Sequence, residues 1–487
     1  MRSLALIAAL AVLTGAVSRP QAGGAPWTAS EIASLDVAID RALEAPVLQG
    51  AQIGFEIADT DRGTVLYSRN QAQEFMPASN FKLLTGSAAL YELGDGFAFE
   101  TSVESDVPQR DGTIAGNLYI VGRGDAALGA ADLDAAAAAL AASGVKHVSG
   151  ALIGDASRYD DVRFAPGWLV DDTPYYYAAA VSALELEEGV EHVSVTPAAV
   201  TGAPVSVRAW PQSGTFTIDN RIATGPRGSK DTTDVARPWN APHTIDLIGS
   251  YPLGAPASDD LSPSVPDPAA YALDVFSRAL AAHGITVDRG TAMGSAPANA
   301  ITLWSRRSPQ MGSLLASMWI PSDNLMAELF VKELAVRQFG MPGTYEHGIA
   351  VEQRYLRTIG VDPATVWISD GSGLSAYDRI TPQDLVAILQ ADWQSAHRDE
   401  ILDALPVAGV RGTLKDAYIG TPAEGAVFAK TGTWTHVTTL SGYAQTHTHG
   451  AVTFSFLING WMGDQAPGGD AALARTRAAI LSTIVSM

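Results

Sequence analysis

Three short stretches of the chain carry side chains able to do covalent chemistry. In "MPASNFKLLT" (76–85), Ser79 stands three positions before Lys82, the only charged residue of the run. On a helix this spacing puts hydroxyl and amine one turn apart on neighbouring positions of one face. A serine hydroxyl is a poor nucleophile until a base takes its proton. A lysine is that base only when its amine is neutral near pH 7, and desolvation among apolar neighbours such as Phe81, Leu83 and Leu84 drives its pKa down. A serine at a helix start also lies beside unpaired backbone N–H groups that can hold an oxyanion. The same residues equally suit a plainer role, with Ser79 as an N-cap and Lys82 reaching its amine to solvent.

The second stretch is "PSDN" (321–324), with Ser322 and Asn324; alone it reads as a Pro-broken turn that caps a helix. The third is "AKTGT" (429–433), with Lys430, Thr431, Gly432 and Thr433. Alone it reads as a lysine at a strand end, yet Gly432 removes a side chain where an extended ligand can approach a strand edge. A second Ser-x-x-Lys, Ser143 and Lys146 in "SGVKHV", lies between a helix and a strand and reads as a surface turn.

Ser-x-x-Lys, Ser-x-Asn and Lys-Thr-Gly in this order are far more specific than any one of them, and the set resembles that of penicillin-binding proteins and serine β-lactamases. A long insert separates Ser79 from Ser322, and the deacylating Glu motif of class A β-lactamases is not evident, "VEQRYL" (351–356) lacking its asparagine. The chain is most similar in plan to the class C, type-4 low-molecular-mass penicillin-binding proteins, the D-alanyl-D-alanine carboxypeptidase/endopeptidase family. "YELGDGFAFETSV" (91–103), "GDASRYDD" (154–161), "YYYAAAVSALELEEG" (175–189), "SDNLMAELF" (322–330), "DGSGLSAYDRITP" (370–382), "LPVAGVRGTL" (405–414) and "FAKTGT" (428–433) carry the likeness from about 50 to about 460.

The resemblance implies roles. Ser79 would attack a D-Ala peptide carbonyl and form an acyl-enzyme, with Lys82 as general base. Ser322 would pass the proton toward the leaving amine, and Asn324 would position Lys82 and the substrate amide. Lys430 would supply a positive field that lowers the Lys82 pKa and draws in the substrate carboxylate, which Thr431 and Thr433 would bind beside Gly432. Backbone N–H groups of Ser79 and Thr433 would form the oxyanion hole. Peptidoglycan peptides are the implied substrates, β-lactam antibiotics the implied acylating inhibitors, and no cofactor is implied. A β-lactamase or esterase on the same scaffold, or an idle peptidoglycan-binding protein, are the competing readings.

These side chains need a scaffold. "WTASEIASLDVAIDRALEAP" (27–46) has helical spacing, and "AQIGFEIADTDRGTVLYSRN" (51–70) reads as a hairpin turning at Asp61-Arg62-Gly63. A buried helix follows from Ser79 to about Leu93. From 97 to 302 short alternating strands dominate, interrupted by helices at 132–144 and 266–284. Helices return at 308–319, 324–338, 343–360 and 382–395, followed by strands at 425–432, 437–446 and 450–460 and a helix near 469–486. The expected fold class is α/β (α+β): a penicillin-binding/β-lactamase-like transpeptidase domain with an antiparallel sheet flanked by helices. That domain, 23–96 with 303–487, is split by a mainly-β insert at 97–302. "DGSGLS" (370–375) reads as a structural loop near the site, with direct substrate contact as the alternative. "GWLVDDTPYYYAA" (167–179) reads either as a solvated loop or as a contact for the peptide's free amino group.

Composition narrows the partners. The chain has 487 residues and a formal net charge of −21, which argues against nucleic acid and against docking on anionic lipid. It has no cysteine, so disulfides and thiol chemistry are excluded. "THTHG" (446–450) lacks the spacing of a metal site, and no metal is expected. "MRSLALIAALAVLTGAVS" reads as a secretory leader, placed at 1–22, with cleavage after Ser18 or Ala22. No transmembrane anchor is expected, and the mature protein reads as soluble and exported, periplasmic or extracellular. The last helix, "AALARTRAAILSTIVSM" (471–487), reads either as a membrane contact or, with its two arginines and modest apolar face, as packing on a sheet, and the second is preferred.

Overall fold

The computed structural model describes residues 18–487. One compact unit takes the described residues up to Phe75 together with Thr381–Met487; the other is Met76–Ile380. Most of the expected leader, residues 1–17, lies outside the described residues. Its last part is described: the Arg19 guanidinium donates to Asp399 (2.9 Å) and Asp403 (2.9 Å), and the Gln21 carbonyl accepts from the amide of Ala451.

The first unit is built on a five-stranded antiparallel sheet in the order 427–434, 437–445, 451–459, 52–59, 65–69. The 52–69 hairpin forms as expected, with Gly63 in the left-handed region (φ 67) that the turn requires. Helix Ala29–Leu43 begins at a capping box in which Thr28 and Glu31 satisfy each other's backbone N–H groups. It and helix Gly469–Ser486 pack together, burying Leu35, Ile39, Leu473, Ile480 and Ile484 in one core with Phe55, Leu440 and Phe456. The last helix is therefore a core element of the sheet. Helix Pro382–Gln394 packs on the strands 451–459 and 52–59. No described helix is long and apolar enough to cross a membrane.

In the second unit, helices Lys82–Leu93, Met311–Trp319, Asn324–Phe339 and Tyr345–Thr358 pack on one another. Lys82–Leu93 and Asn324–Phe339 are buried over most of their length; the first lacks a polar stripe, and the polar Glu328, Lys332 and Glu333 of the second are buried against partners. Gly86 lets the Trp319 indole pack closely against the first of them: a Cβ there would sit 2.4 Å from the indole. Among the described residues, the rest of this unit shows two large hydrophobic cores. One lies between helices Ala130–Ala142 and Pro268–Ala282 and a sheet ordered 291–293, 152–155, 118–122, 100–105, 301–307. The other gathers Val193, Val195, Ile245 and Leu247 from short strands. Strands Glu100–Ser105 and Ile301–Arg307, which the sequence pattern does not reveal, pair antiparallel, so the chain enters and leaves this part side by side.

Phe456 is buried and meets Phe55 at a ring-centroid distance of 4.6 Å. Phe456→Ala is expected to cost ~3–5 kcal/mol through lost contacts and a residual cavity. Denaturant unfolding monitored by circular dichroism checks this.

Candidate active site

Ser79 sits in a single 3-10 turn, Ala78–Phe81, that runs directly into the helix starting at Lys82. The preceding Ala78 has φ 47, a left-handed conformation unusual for a residue with a side chain. Ser322, in the other serine motif, has φ 70. Such strain persists only where packing holds it. At Ala78 the holder is Gly373 (φ 77), whose backbone lies so close that an added Cβ would stand 1.9 Å from the Ala78 carbonyl oxygen.

Lys82 is fully buried and its amine lies 2.9 Å from Ser79 Oγ, while Ser79 itself stays partly accessible. The amine also donates to Asn324 Oδ1 (2.5 Å) and to the Ser372 carbonyl (2.9 Å). The alternative in which Lys82 reaches solvent is thereby excluded. Burial lowers the Lys82 pKa to about 8, while Asp370, Glu328 and Asp323 oppose the shift. The surroundings are thus not simply apolar: three carboxyls stand near the amine, and burial outweighs them.

Asn324 opens helix Asn324–Phe339, which Asp323 caps by accepting from the Met326 amide (2.8 Å). Its side-chain amide donates to the Tyr177 carbonyl (2.7 Å), tying the motif to the aromatic segment 175–177. In that segment the Tyr175 and Tyr177 rings stack at 5.3 Å and Tyr177 donates to Asp172 (3.0 Å), while Asp171 and Tyr176 are exposed. Further along the helix, Glu333 receives a two-pronged Arg158 (2.8 and 2.6 Å), and the Lys332 amine pairs with Asp160 and lies over the Tyr345 ring.

Lys430, Thr431, Gly432 and Thr433 lie in the other unit on strand Val427–Trp434, at one edge of the five-stranded sheet. The Lys430 amine donates to the Thr431 carbonyl (2.8 Å), and Thr431 Oγ1 donates to Thr413 (2.7 Å). The second Ser-x-x-Lys is what it resembled: Ser143 closes a helix, its hydroxyl on the Leu140 carbonyl. His449 is buried, stacked on Trp27 (4.1 Å) and hydrogen-bonded to the Ala25 carbonyl.

Sequence reading missed two groups in this site, the carbonyls of Ser372 and Tyr177. No side-chain pattern announces a backbone acceptor. The Asp370-Gly371 turn signal marks the loop, and Glu328, four residues after Asn324 and so on the same helix face, is the unread signal for a carboxyl beneath it.

The model of the D-Ala-D-Ala carboxypeptidase 3 (S13) family matches residues 35–480. A D-alanyl-D-alanine carboxypeptidase from Actinomadura sp. (strain R39) is 39% identical over 87% of this chain and 81% of its own. Penicillin binding protein 4 (dacB) from Haemophilus influenzae has the same fold, with a TM-score of 0.82 at 23% identity over 92% of this chain and 99% of its own.

Gly373→Ala is expected to destabilise the second unit by at least ~1 kcal/mol from the left-handed backbone alone. The clash with Ala78 adds to that cost. A lowered melting temperature checks this; an unchanged one means the turn at Ser79 does not depend on Gly373.

Proposed function

Since the chain belongs to the D-Ala-D-Ala carboxypeptidase 3 (S13) family, we propose that it hydrolyses D-Ala peptide bonds of peptidoglycan stem peptides through an acyl-enzyme on Ser79. The observation that carries this is the buried Lys82 amine 2.9 Å from Ser79 Oγ. As Ser79 Oγ bonds to the substrate carbonyl carbon, its proton passes to Lys82. The tetrahedral oxyanion is held by the backbone N–H groups of Ser79 and Thr433. Ser322 relays a proton to the departing amine, and Asn324 orients both Lys82 and the substrate amide. Lys430 with Thr431 and Thr433, beside Gly432, anchors the substrate carboxylate. Water then attacks the ester, and the acyl group leaves as a free acid.

β-Lactams acylate the same serine in this reading; the Haemophilus influenzae relative has been determined in complex with one. The exposed Asp171 beside the tyrosines suits a peptide amino group. Residues 97–302 act as an insert in two folded parts, a division that the two separate cores support. The protein works outside the cytoplasm, where peptidoglycan is. The contacts of Arg19 and Gln21 with the first unit favour leader cleavage after Ser18 over Ala22, because the later cut removes both. Mass spectrometry of the secreted protein is expected to find Arg19 at its N-terminus.

Intact mass after incubation with benzylpenicillin is expected to show one stable penicilloyl group, absent from Ser79→Ala. Consumption of penicillin without an adduct indicates a β-lactamase instead, and neither adduct nor consumption indicates an idle binding site. Lys82 must be neutral to accept the proton, so acylation is lost as pH falls through its pKa. The rate is expected to rise with pH through a midpoint of about 8, against 10.5 for an ordinary lysine; stopped-flow acylation across pH 6–10 reads this, and no rise in that range removes Lys82 as the base.

A further inference from the structure

The three partners of the Lys82 amine differ in kind. Asn324 Oδ1 and the Ser372 carbonyl only accept hydrogen bonds, whereas the Ser79 hydroxyl both donates and accepts. A neutral amine has two N–H groups and one lone pair. The two pure acceptors take both N–H groups, and the remaining tetrahedral direction carries the lone pair toward Ser79. Turning the lone pair elsewhere would set it against a carbonyl oxygen and leave a buried acceptor unmet. The aim of the base is thus fixed by the Ser372 carbonyl as much as by Asn324.

The Ser372 carbonyl is itself held from below. Glu328 accepts the amides of Ser372 (2.9 Å) and Gly371 (3.2 Å to each oxygen). Asp370 accepts the amides of Gly373 (2.7 Å) and Ser375 (2.7 Å), the Ser372 hydroxyl (3.2 Å) and the Trp168 indole (2.8 Å). Thr85, one turn after Lys82, donates to the Gly371 carbonyl (2.7 Å) and completes the grip. Glu328 and Asn324 are four apart on one helix, so a single rigid element carries one acceptor of the amine and the support of the other.

We propose that Glu328 and Asp370 are positioning residues which, through the loop 370–375, hold the Ser372 carbonyl on Lys82 and so aim its lone pair at the Ser79 proton. This rests on the reading of Ser79 as nucleophile and Lys82 as base. Trp168 extends the support into the segment that carries Asp171 and the three tyrosines.

The test separates benzylpenicillin acylation into its binding constant and its first-order acylation step. Glu328→Ala is expected to slow the acylation step roughly 10²-fold, the scale of an ångström of misalignment, with binding unchanged. Glu328→Gln keeps an oxygen for the Ser372 amide and is expected to restore most of the rate. Trp168→Phe, which loses only the N–H given to Asp370, is expected to slow the same step and serves where Glu328→Ala does not fold. An acylation step equal to wild type in Glu328→Ala or Trp168→Phe, with only the melting temperature lowered, overturns the proposal. A wild-type protein that forms no Ser79 adduct overturns the underlying reading instead.

Discussion

The second unit is organised around the burial of one amine. Removing a lysine ammonium from water is costly, and the cost is what brings its pKa into a useful range. A buried amine must still have its N–H groups met, and here the acceptors come from two remote segments, Asn324 and Ser372, with Ser79 as the third partner. The loop that supplies Ser372 has amides of its own to satisfy, and carboxyls satisfy them. Those carboxyls pull the lysine pKa back up. Burial and the neighbouring Asp370 push the Glu328 carboxyl upward in turn, which disfavours its charged form. Burial also raises Glu352, beside Thr85, well above the ordinary carboxyl range.

Rigidity follows from the same arrangement. Helices Lys82–Leu93 and Asn324–Phe339 are buried on nearly all sides, so neither can shift without moving the other. The Trp319 indole donates to the Lys82 carbonyl (2.9 Å), locking the start of the first helix. Two motif positions, Ala78 and Ser322, lie in left-handed conformations that cost about 1–2 kcal/mol each, and close packing at Gly373 holds the first.

Much of this was legible in the sequence because it is written in side-chain type and period. The helix at 29–43, the hairpin at 52–69, the three C-terminal strands and the final helix at 469–486 lie close to their expected positions. Ser79, Lys82 and Asn324 meet as their spacing and order suggest. Strands 100–105 and 301–307 were not legible, since 301–307 is half exposed and carries Ser305, Arg306 and Arg307 where a core strand would be apolar. Helix Arg398–Ala404 was too short for its period to register. The carbonyls of Ser372 and Tyr177 were invisible because a backbone oxygen's direction depends on φ and ψ, not on which residue bears it.

The strand order of the first unit has a consequence for how the polypeptide is made. Strand 52–59 pairs on one side with 65–69, its neighbour in sequence, and on the other with 451–459, which is synthesised far later. The entry segment is stapled there too, with the Ala25 amide on the Thr448 carbonyl. Until 451–459 is made, the 52–59 side of the hairpin therefore stays open, a state prone to wrong pairing. A chain cut short before residue 451 cannot complete this sheet, because strand 451–459 alone joins the hairpin to 437–445.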